Sequence, residues 1–295
     1  MIVIEGPASQ QLAKKVAELL QCELCTVNTK IFSNGETKLT FKRDVRNQSC
    51  IIVQACYPPI DQHLIQLFFL IAKCKEMQAK NITVIIPYFA YQRQDKEFLK
   101  GEVVSGKIIA QIIESLGANQ IVIINVHSTK ILEFFNIPVY DLLPFELMGT
   151  YFAEKFELIN PIALAPDKKA FGYAQEFANG VKGRPMYINK SRDHVTQEVT
   201  FEFPEDLDFS GSDVIVVDDI VGSGSTTPPI VKFAKSKGAQ RVFVAVTAGE
   251  FYGDSLERTK AAGAEEIVTT DVVNNPRIKT LTLAPLIAEK IREIV

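Results

Sequence analysis

Four stretches of the chain share one pattern that constrains its fold: a helical segment ends at a short break, and a run rich in β-branched residues follows. These stretches are Met77–Val84, Leu116–Val122, Lys237–Val242 and Ala262–Val268. Glycine just past a helix supplies the left-handed conformation that ends it, and the apolar run that follows is typical of a buried strand. Repeated helix-to-strand units predict parallel sheets with helices on both faces, hence an α/β fold.

Two of these units fall in each half of the 295-residue chain, which predicts two domains. We place the boundary near Leu143, where a strand-like segment (137–142) ends and an amphipathic helix (145–156) begins, so the domains span 1–143 and 144–295. The polar segment 191–213 alternates in hydrophobicity over 199–203 and predicts a hairpin or a mobile flap. The predicted strands are 2–4, 50–54, 82–86, 121–126, 161–165, 214–217, 242–247 and 267–270.

Composition and charge exclude several classes of protein. Hydrophobic residues make up 47% and charged residues 23%, as in globular domains. A net charge of −3 gives no electrostatic reason to expect nucleic acid or a membrane as partner. The first residues do not resemble a signal peptide, and the most apolar run, 67–72, is too short to span a bilayer. Five cysteines, all within the first 74 residues, argue against a disulfide framework and favour the reducing cytoplasm.

Polar residues follow four of the predicted strands. They occupy 87–96, 127–130, 166–169 and 218–219. Ligands of open parallel sheets bind outside the carboxyl ends of the strands, so these clusters can face common clefts. The pattern predicts a catalytic α/β protein.

The most specific segment runs from Val214 to Thr227: an apolar strand ends in two acids, and a loop of small residues then opens a helix. Small residues let backbone N–H groups approach a phosphate, and a helix N-terminus adds partial positive charge. Thr227 is the predicted N-cap, with Pro228 at the first helical position. Acids near such a loop suit vicinal ribose hydroxyls, directly or through Mg²⁺. The segment predicts a sugar 5-phosphate pocket; the alternative is a solvated acid pair followed by a linker.

The spacing is neither that of the Walker A loop nor that of the Rossmann glycine fingerprint. The segment resembles the phosphoribosyl-diphosphate motif of type I phosphoribosyltransferases and of the related ribose-phosphate pyrophosphokinases. By that resemblance Asp218 and Asp219 contact the ribose hydroxyls, and the residues that contact the 5-phosphate are Ser223, Gly224, Ser225 and Thr226. Two positions depart from the motif: Gly222 stands where pyrophosphokinases commonly carry an acid, and Ser225 stands where glycine is usual.

Other segments resemble the pyrophosphokinases in the same order along the chain. The ATP-binding residues implied are Phe32, Asn34, Glu36, Arg93, Gln94 and Asp95. His127 matches a metal-binding histidine, and Asp167 matches an acid of the ribose 5-phosphate site that is also a candidate metal ligand. Lys190 and Arg192 match the catalytic flexible loop. Simple phosphoribosyltransferases lack the first half, so the pyrophosphokinases are the closer resemblance.

The resemblance implies two tandem phosphoribosyltransferase-like domains, each a mainly parallel sheet flanked by helices. It implies that the β,γ-diphosphoryl group of ATP is transferred, with Mg²⁺, to the C1 hydroxyl of ribose 5-phosphate, with Lys190 and Arg192 as catalytic residues. The implied partners are these two substrates and further copies of the chain, in a homodimer or higher homo-oligomer with an ATP site shared between subunits. Two alternatives remain: a type I phosphoribosyltransferase, and a catalytically silent regulatory homologue.

Overall fold

A computed structural model describes residues 1–192, 199–202 and 206–295. The helices in the described part of the chain are α1 (Gln10–Leu20), α2 (Ile60–Glu76), α3 (Ser105–Ser115), α4 (Phe145–Lys155), α5 (Phe171–Val181), α6 (Thr227–Ser236), α7 (Ser255–Ala261) and α8 (Ala284–Ile294), with one 3₁₀ helix at Thr129–Phe134. The strands of the first half are β1 (Ile2–Glu5), β2 (Glu23–Cys25), β3 (Val27–Ile31), β4 (Thr37–Phe41), β5 (Ser49–Val53), β6 (Asn81–Ile86), β7 (Gln120–Ile124) and β8 (Val139–Leu142). Those of the second half are β9 (Ile162–Ala165), β10 (Arg184–Tyr187), β11 (Asn189–Arg192), β12 (Val199–Glu202), β13 (Asp213–Val221), β14 (Arg241–Gly249), β15 (Glu266–Thr270) and β16 (Lys279–Leu281).

Each half of the chain builds one six-stranded sheet in which the neighbouring strands are parallel. The orders are β2-β1-β5-β6-β7-β8 and β10-β9-β13-β14-β15-β16. Counted within its own sheet, each order reads 2-1-3-4-5-6. The predicted α/β class with parallel sheets is confirmed, and the eight predicted strands are the ones that carry the buried centres of the two sheets.

The four helix-to-strand breaks all contain a residue in the left-handed region, directly after the residue that caps the helix. Three are glycines, Gly117, Gly238 and Gly263, with φ between +86° and +110°. In the first break the position is filled by Gln78, with φ of +58°. The backbone turn is therefore the same in all four breaks, and glycine is the residue that adopts it at least cost.

The chain divides into two compact units, of which the first holds residues 1–142, 272–274 and 282–295 and the second holds 143–271 and 275–281. The predicted boundary between 143 and 144 stays a prediction. The C-terminal residues 282–295, which we predicted as part of the second domain, pack with the first unit. Arg292 donates a hydrogen bond to the carbonyl of Leu19 (2.6 Å), and the side-chain amide of Gln120 donates to that of Ile294 (3.4 Å). Helix α8 thus belongs to the first unit.

Two smaller elements are antiparallel. Strands β3 and β4 form a hairpin in the first unit, and β11 pairs with β12 in the second. The latter pair falls in the segment that we predicted as a hairpin or flap; residues 193–198 and 203–205 of that segment lie outside the described residues. No helix in the described ranges is both long and apolar enough to cross a membrane.

Candidate active site

The acid pair of the second unit lies inside a strand rather than after it. We predicted that the strand ends at Val217, but β13 continues through Asp218 and Asp219 to Val221 and pairs with β14 over this length. The strand is four residues longer than predicted, and the buried apolar residues Ile220 and Val221 continue it beyond the acids. Asp218 and Asp219 are 9% and 6% exposed at the carboxyl end of the sheet. Carboxylates at such depth require hydrogen bonds or a cation to offset their desolvation.

The loop that follows β13 is held from one side by helix α7. The hydroxyl of Ser255 donates to the carbonyl of Gly222 (3.0 Å). Arg258 donates from Nη2 to the carbonyl of Ser223 (2.5 Å) and from Nη1 to that of Gly224 (3.4 Å). Three consecutive carbonyls therefore point toward α7.

This arrangement orients the N–H groups of the loop. In a planar trans peptide the N–H points opposite to the preceding C=O. The amides of Ser223, Gly224 and Ser225 must then point away from α7, as a phosphate site requires. Gly224 has φ of +70°, and a Cβ there would lie 2.7 Å from the Cβ of Ser255, so both conformation and space call for glycine.

The start of α6 differs from the prediction by one residue. Thr226 is the N-cap, Thr227 is the first helical residue, and neither the N-cap nor any other side chain caps the helix with a hydrogen bond. An N-cap side chain normally accepts from the second or third helical N–H, but these positions are Pro228 and Pro229, which have none. The groups that remain for the predicted phosphate contact are the loop amides and the hydroxyls of Ser223, Ser225 and Thr226, of which Ser223 and Ser225 are exposed.

The two acidic segments of the second unit lie on neighbouring strands. Asp167 follows β9, and β9 pairs with β13, which carries Asp218 and Asp219. The strand order of the sheet reverses between β9 and β13, and open α/β sheets bind ligands at such a point. Oδ1 of Asp167 accepts hydrogen bonds from the N–H groups of Lys169 (2.9 Å) and Ala170 (3.0 Å), which fix the turn into α5.

In the first unit, the loops after β6 and β7 are joined by side-chain hydrogen bonds. Buried Gln92 accepts from the backbone N–H of His127 (2.9 Å), and Ser128 donates to the carboxylate of Asp95 (2.6 Å). His127 itself is exposed. The structure therefore brings the predicted ATP segment and the predicted metal-binding histidine together at one edge of the sheet. Arg93 and Gln94 lie exposed in the same loop.

The predicted adenine segment lies at the tip of the β3–β4 hairpin. Its hydrogen bonds are local: the N–H of Phe32 donates to the carbonyl of Glu36 (2.9 Å), and the N–H of Glu36 donates to Oδ1 of Asn34 (3.1 Å). Phe32 is 40% exposed, and the ammonium of Lys30 lies 4.9 Å from the centre of its ring. The tip thus presents an aromatic face outward from the unit.

Lys190 and Arg192 lie on β11, paired in register with Phe201 and Val199 of β12. The structure gives their backbone, and their side chains lie outside the part of the chain that it describes. Their catalytic role stays a prediction.

Several residues around these loops were missed from the sequence. Arg258, Ser255 and Glu250 border the phosphate loop, and Gln92 and Ser128 join the loops of the first unit. Glu250 directly follows β14, as the other polar clusters follow their strands, but the predicted strand ended at Thr247, two residues earlier than β14, so the sequence did not mark Glu250 as part of such a cluster. Nothing in the sequence marks Ser255 and Arg258, because they meet the loop only through the packing of α7.

Known proteins resemble this chain over its whole length. Residues 1–117 match the N-terminal domain of ribose phosphate pyrophosphokinase, and residues 188–295 match the phosphoribosyl synthetase-associated domain. The ribose-phosphate pyrophosphokinase of Methanothermobacter thermautotrophicus is 34% identical over 99% of this chain and 100% of its own, and that of Methanobrevibacter smithii is 35% identical with the same coverage. The crystal structure of phosphoribosylpyrophosphate synthetase from Mycobacterium smegmatis superimposes with a TM-score of 0.86 at 28% identity, over 99% of this chain and 98% of that one.

These matches cover both units. They agree with the two parallel sheets and with the order of the polar segments along the chain. The chain belongs to the ribose-phosphate pyrophosphokinase family, a family of enzymes that transfer a diphosphoryl group.

Proposed function

We propose that this chain transfers the β,γ-diphosphoryl group of ATP to the C1 hydroxyl of ribose 5-phosphate, giving 5-phosphoribose 1-diphosphate and AMP. The observation that carries the proposal is the loop after β13. Its carbonyls are held by Ser255 and Arg258, so its amides point away from α7, and the buried acids Asp218 and Asp219 precede it on β13. Backbone amides can bind a phosphate, and the neighbouring carboxylates can accept hydrogen bonds from hydroxyls, so together they match a pentose 5-phosphate.

The residues of the ribose 5-phosphate site have distinct roles in this proposal. The 5-phosphate accepts hydrogen bonds from the loop amides and from the hydroxyls of Ser223, Ser225 and Thr226. Asp218 and Asp219 accept hydrogen bonds from the ribose hydroxyls, and Asp167 follows the neighbouring strand β9. Fixing the sugar at both ends leaves its C1 hydroxyl as the group that can attack, which is the orienting contribution expected of a phosphoryl-transfer enzyme.

We assign ATP to residues of the first unit. The ring of Phe32 offers a face for adenine, and Asn34 and Glu36 flank it with polar groups. Arg93 and Gln94 bind the phosphates from the loop after β6. The hydrogen bonds from His127 to Gln92 and from Ser128 to Asp95 join this loop to the loop after β7. An exposed guanidinium in a loop braced in this way suits a phosphate chain.

Mg²⁺, which this family generally uses, would neutralise charge on the ATP phosphates, and His127 of the first unit and Asp167 of the second unit are each a candidate ligand for it. In the described part of the chain, no cluster of three or more histidine, cysteine or acidic side chains could hold a metal ion by itself. This fits Mg²⁺, which usually takes one or two protein ligands and completes its shell with substrate phosphates and water.

The transfer itself needs little covalent chemistry from the protein. The C1 hydroxyl oxygen bonds to the β-phosphorus, the bond from that phosphorus to the oxygen bridging the α- and β-phosphates breaks, AMP leaves, and the hydroxyl proton is released. Lys190 and Arg192 stabilise the negative charge that develops at the β-phosphorus. We propose that the chain acts as a homodimer or larger homo-oligomer, with Phe32, Asn34 and Glu36 serving the ATP site of a neighbouring subunit.

The test is to incubate the purified protein with ribose 5-phosphate, ATP and Mg²⁺ and to resolve the products by ³¹P NMR and anion-exchange chromatography. We expect AMP and 5-phosphoribose 1-diphosphate in equal amounts and no ADP. The matched control omits ribose 5-phosphate and should leave ATP intact.

Each other result contradicts the proposal in a distinct way. ADP as product would mean a simple kinase. A reaction that consumes 5-phosphoribose 1-diphosphate and a nucleobase would mean a phosphoribosyltransferase. ATP binding without turnover would mean a regulatory homologue.

A further inference from the structure

Gly222 opens the phosphate loop, and its backbone does not require glycine. Its φ lies outside the left-handed region, unlike that of Gly224 two residues later. Two neighbouring side chains occupy the space that a side chain at this position would enter. A Cβ on Gly222 would lie 3.2 and 3.4 Å from ring atoms of Tyr252 and 3.5 Å from Oε2 of Glu250. Glycine here makes room for a carboxylate that comes from another strand.

The backbone of Glu250 is fixed beside the loop. It is the first residue after β14, and its N–H donates to the carbonyl of Val221 (3.0 Å), the last residue of β13. Its own carbonyl accepts from the side-chain amide of Asn275 (3.3 Å). The position of the carboxylate is therefore set by the sheet and not by a mobile loop.

The carboxylate of Glu250 has an unmet hydrogen-bonding capacity. Its Oε1 is buried, and no described residue donates a hydrogen bond to it. Leaving a buried charged oxygen without a donor is costly, so such groups in native proteins point to a ligand or to an unplaced water. The neighbouring loop amides are directed at the phosphate and belong to the 5-phosphate end of the substrate. Of the groups of the proposed substrate, the sugar hydroxyls are the hydrogen-bond donors nearest the opening of the loop.

We propose that Glu250 is a substrate-contacting residue: its carboxylate accepts a hydrogen bond from a hydroxyl of the bound pentose 5-phosphate, and Gly222 is the small residue beside it that leaves it room. The inference rests on the proposed binding of ribose 5-phosphate at this loop. It adds a third carboxylate to the pair on β13, and it makes the end of β14 a determinant of sugar recognition.

The pair can be tested by exchanging its members. The variants are Glu250→Ala, Glu250→Gln, Gly222→Asp and the double variant Gly222→Asp/Glu250→Ala, with Glu257→Ala as matched control, since that glutamate is exposed on α7 in the same unit. The measurements are the KM values for ribose 5-phosphate and for ATP, calorimetric binding of ribose 5-phosphate alone, and thermal unfolding.

We expect Glu250→Ala to raise the KM and the dissociation constant for ribose 5-phosphate by about tenfold, the effect of one hydrogen bond to a charged group. The KM for ATP should change by less than about twofold, and Glu250→Gln, which keeps an acceptor oxygen, should fall between wild type and Glu250→Ala. Gly222→Asp places two carboxylates together and should also weaken binding. The double variant has one carboxylate again and should bind more tightly than either single variant.

Unchanged or tighter binding of ribose 5-phosphate by Glu250→Ala would overturn the proposal, as would a double variant no better than the worse single one. Equal losses for both substrates together with a lowered unfolding temperature would also overturn it, because they would assign Glu250 a purely structural role. Calorimetry separates this proposal from the proposed function: a wild-type protein that binds ribose 5-phosphate without turnover refutes the reaction, whereas the variants still report on Glu250.

Discussion

Arg258 holds the loop of the proposed ribose 5-phosphate site through the carbonyls of that loop. Its Nε donates to Asp254 (2.9 Å), which fixes the plane of the guanidinium, and its two terminal nitrogens donate to the carbonyls of Ser223 and Gly224. The planar fork of arginine suits two acceptors at once, which a lysine ammonium does not match. Arg258 is therefore a positioning residue for the loop amides.

Replacing Arg258 with alanine should raise the KM for ribose 5-phosphate by about ten- to a hundredfold, the range for hydrogen bonds to a charged group. The KM for ATP should stay within about twofold, because the ATP residues belong to the other unit. Arg258→Lys should recover part of the loss. Steady-state kinetics with each substrate varied in turn measure this split, and Arg184→Ala, an exposed arginine at the opposite end of the sheet, is the control. Parallel losses for both substrates would leave Arg258 with a structural role only.

At the residue level, the sequence predicted the groups that act within a local motif and missed those that support it. Asp218, Asp219 and the small residues of the loop are recognisable because strand, acids and loop are contiguous. Arg258 and Glu250 reach the loop from later elements, and no local pattern marks such contacts. Glu250 also bears on the departure noted at Gly222: in our proposal the carboxylate that follows β14 takes the place of the acid that the loop lacks.

At the level of elements, the two sheets have the same strand order, but their reversal points differ. In the first unit the reversal lies between β1 and β5, and the chain closes it with its own side chains. Gln54 accepts from the N–H of Ala8 (3.1 Å) and would lie 2.2 Å from a Cβ on Gly6, and Ser9 accepts from the N–H of Ala55 (2.8 Å). In the second unit the same point carries the acid pair. The same topology therefore carries the proposed ligand site in the second unit, whereas side chains of the chain itself fill the corresponding point in the first unit.

The central strands were predictable because they are buried, rich in β-branched residues and preceded by the same helix break. The edge strands β2, β10 and β16 were not. They have three or four residues, each with exposed or half-buried positions, and so offer no hydrophobic run or alternation long enough to detect. Their strand conformation comes from pairing with a central neighbour.

Comparing two glycines distinguishes the two reasons for glycine in the phosphate loop, its backbone conformation and the space available for a side chain. Gly224 and Gly211 have φ of +70° and +71°, but a Cβ would meet Ser255 only at Gly224, while Gly211 faces open space. Alanine at Gly211 should lower the free energy of unfolding by about 1–2 kcal/mol, the cost of the left-handed region, and alanine at Gly224 should lower it by more, because its Cβ would also crowd that of Ser255. Only Gly224→Ala should also raise the KM for ribose 5-phosphate, by about tenfold, because the contact with Ser255 displaces the loop that α7 holds. Chemical denaturation and kinetics on both variants measure this, and equal KM values would refute the packing role.

At the level of the whole molecule, the proposed assignments divide the chemistry between the units. The ATP residues lie in the first unit, and the ribose 5-phosphate residues lie in the second, with Lys190 and Arg192. The hairpin tip exposes Phe32 and Ile31, at 40% and 53%, amid polar and turn-forming residues. An apolar pair at the end of a hairpin is a poor arrangement for a surface facing water, and it suits a contact with a second copy of the chain.

A shared site can be tested by mixing two inactive chains that carry distinguishable tags. One chain is Phe32→Ala/Glu36→Ala, and the other is Lys190→Ala/Arg192→Ala. In a two-fold dimer with exchanged hairpins, each mixed dimer has one intact site and one doubly broken site. Random pairing makes about half of the dimers mixed, so roughly a quarter of all sites should be active, as follows from symmetry.

A second mixture combines wild-type chain with a chain that carries all four substitutions. In this mixture, sharing lowers the fraction of active sites, whereas in the first mixture sharing raises it. With exchanged hairpins every site of a mixed dimer contains one broken half, so activity comes only from wild-type dimers and about a quarter of the sites remain. If each chain builds its own site, one site of each mixed dimer is intact, and about half of all sites remain. Sharing therefore predicts equal activity in the two mixtures, once the tags show that mixed dimers have formed. Independent sites predict no activity in the first mixture and about half in the second, and that result would refute the assignment of the hairpin to a neighbouring subunit.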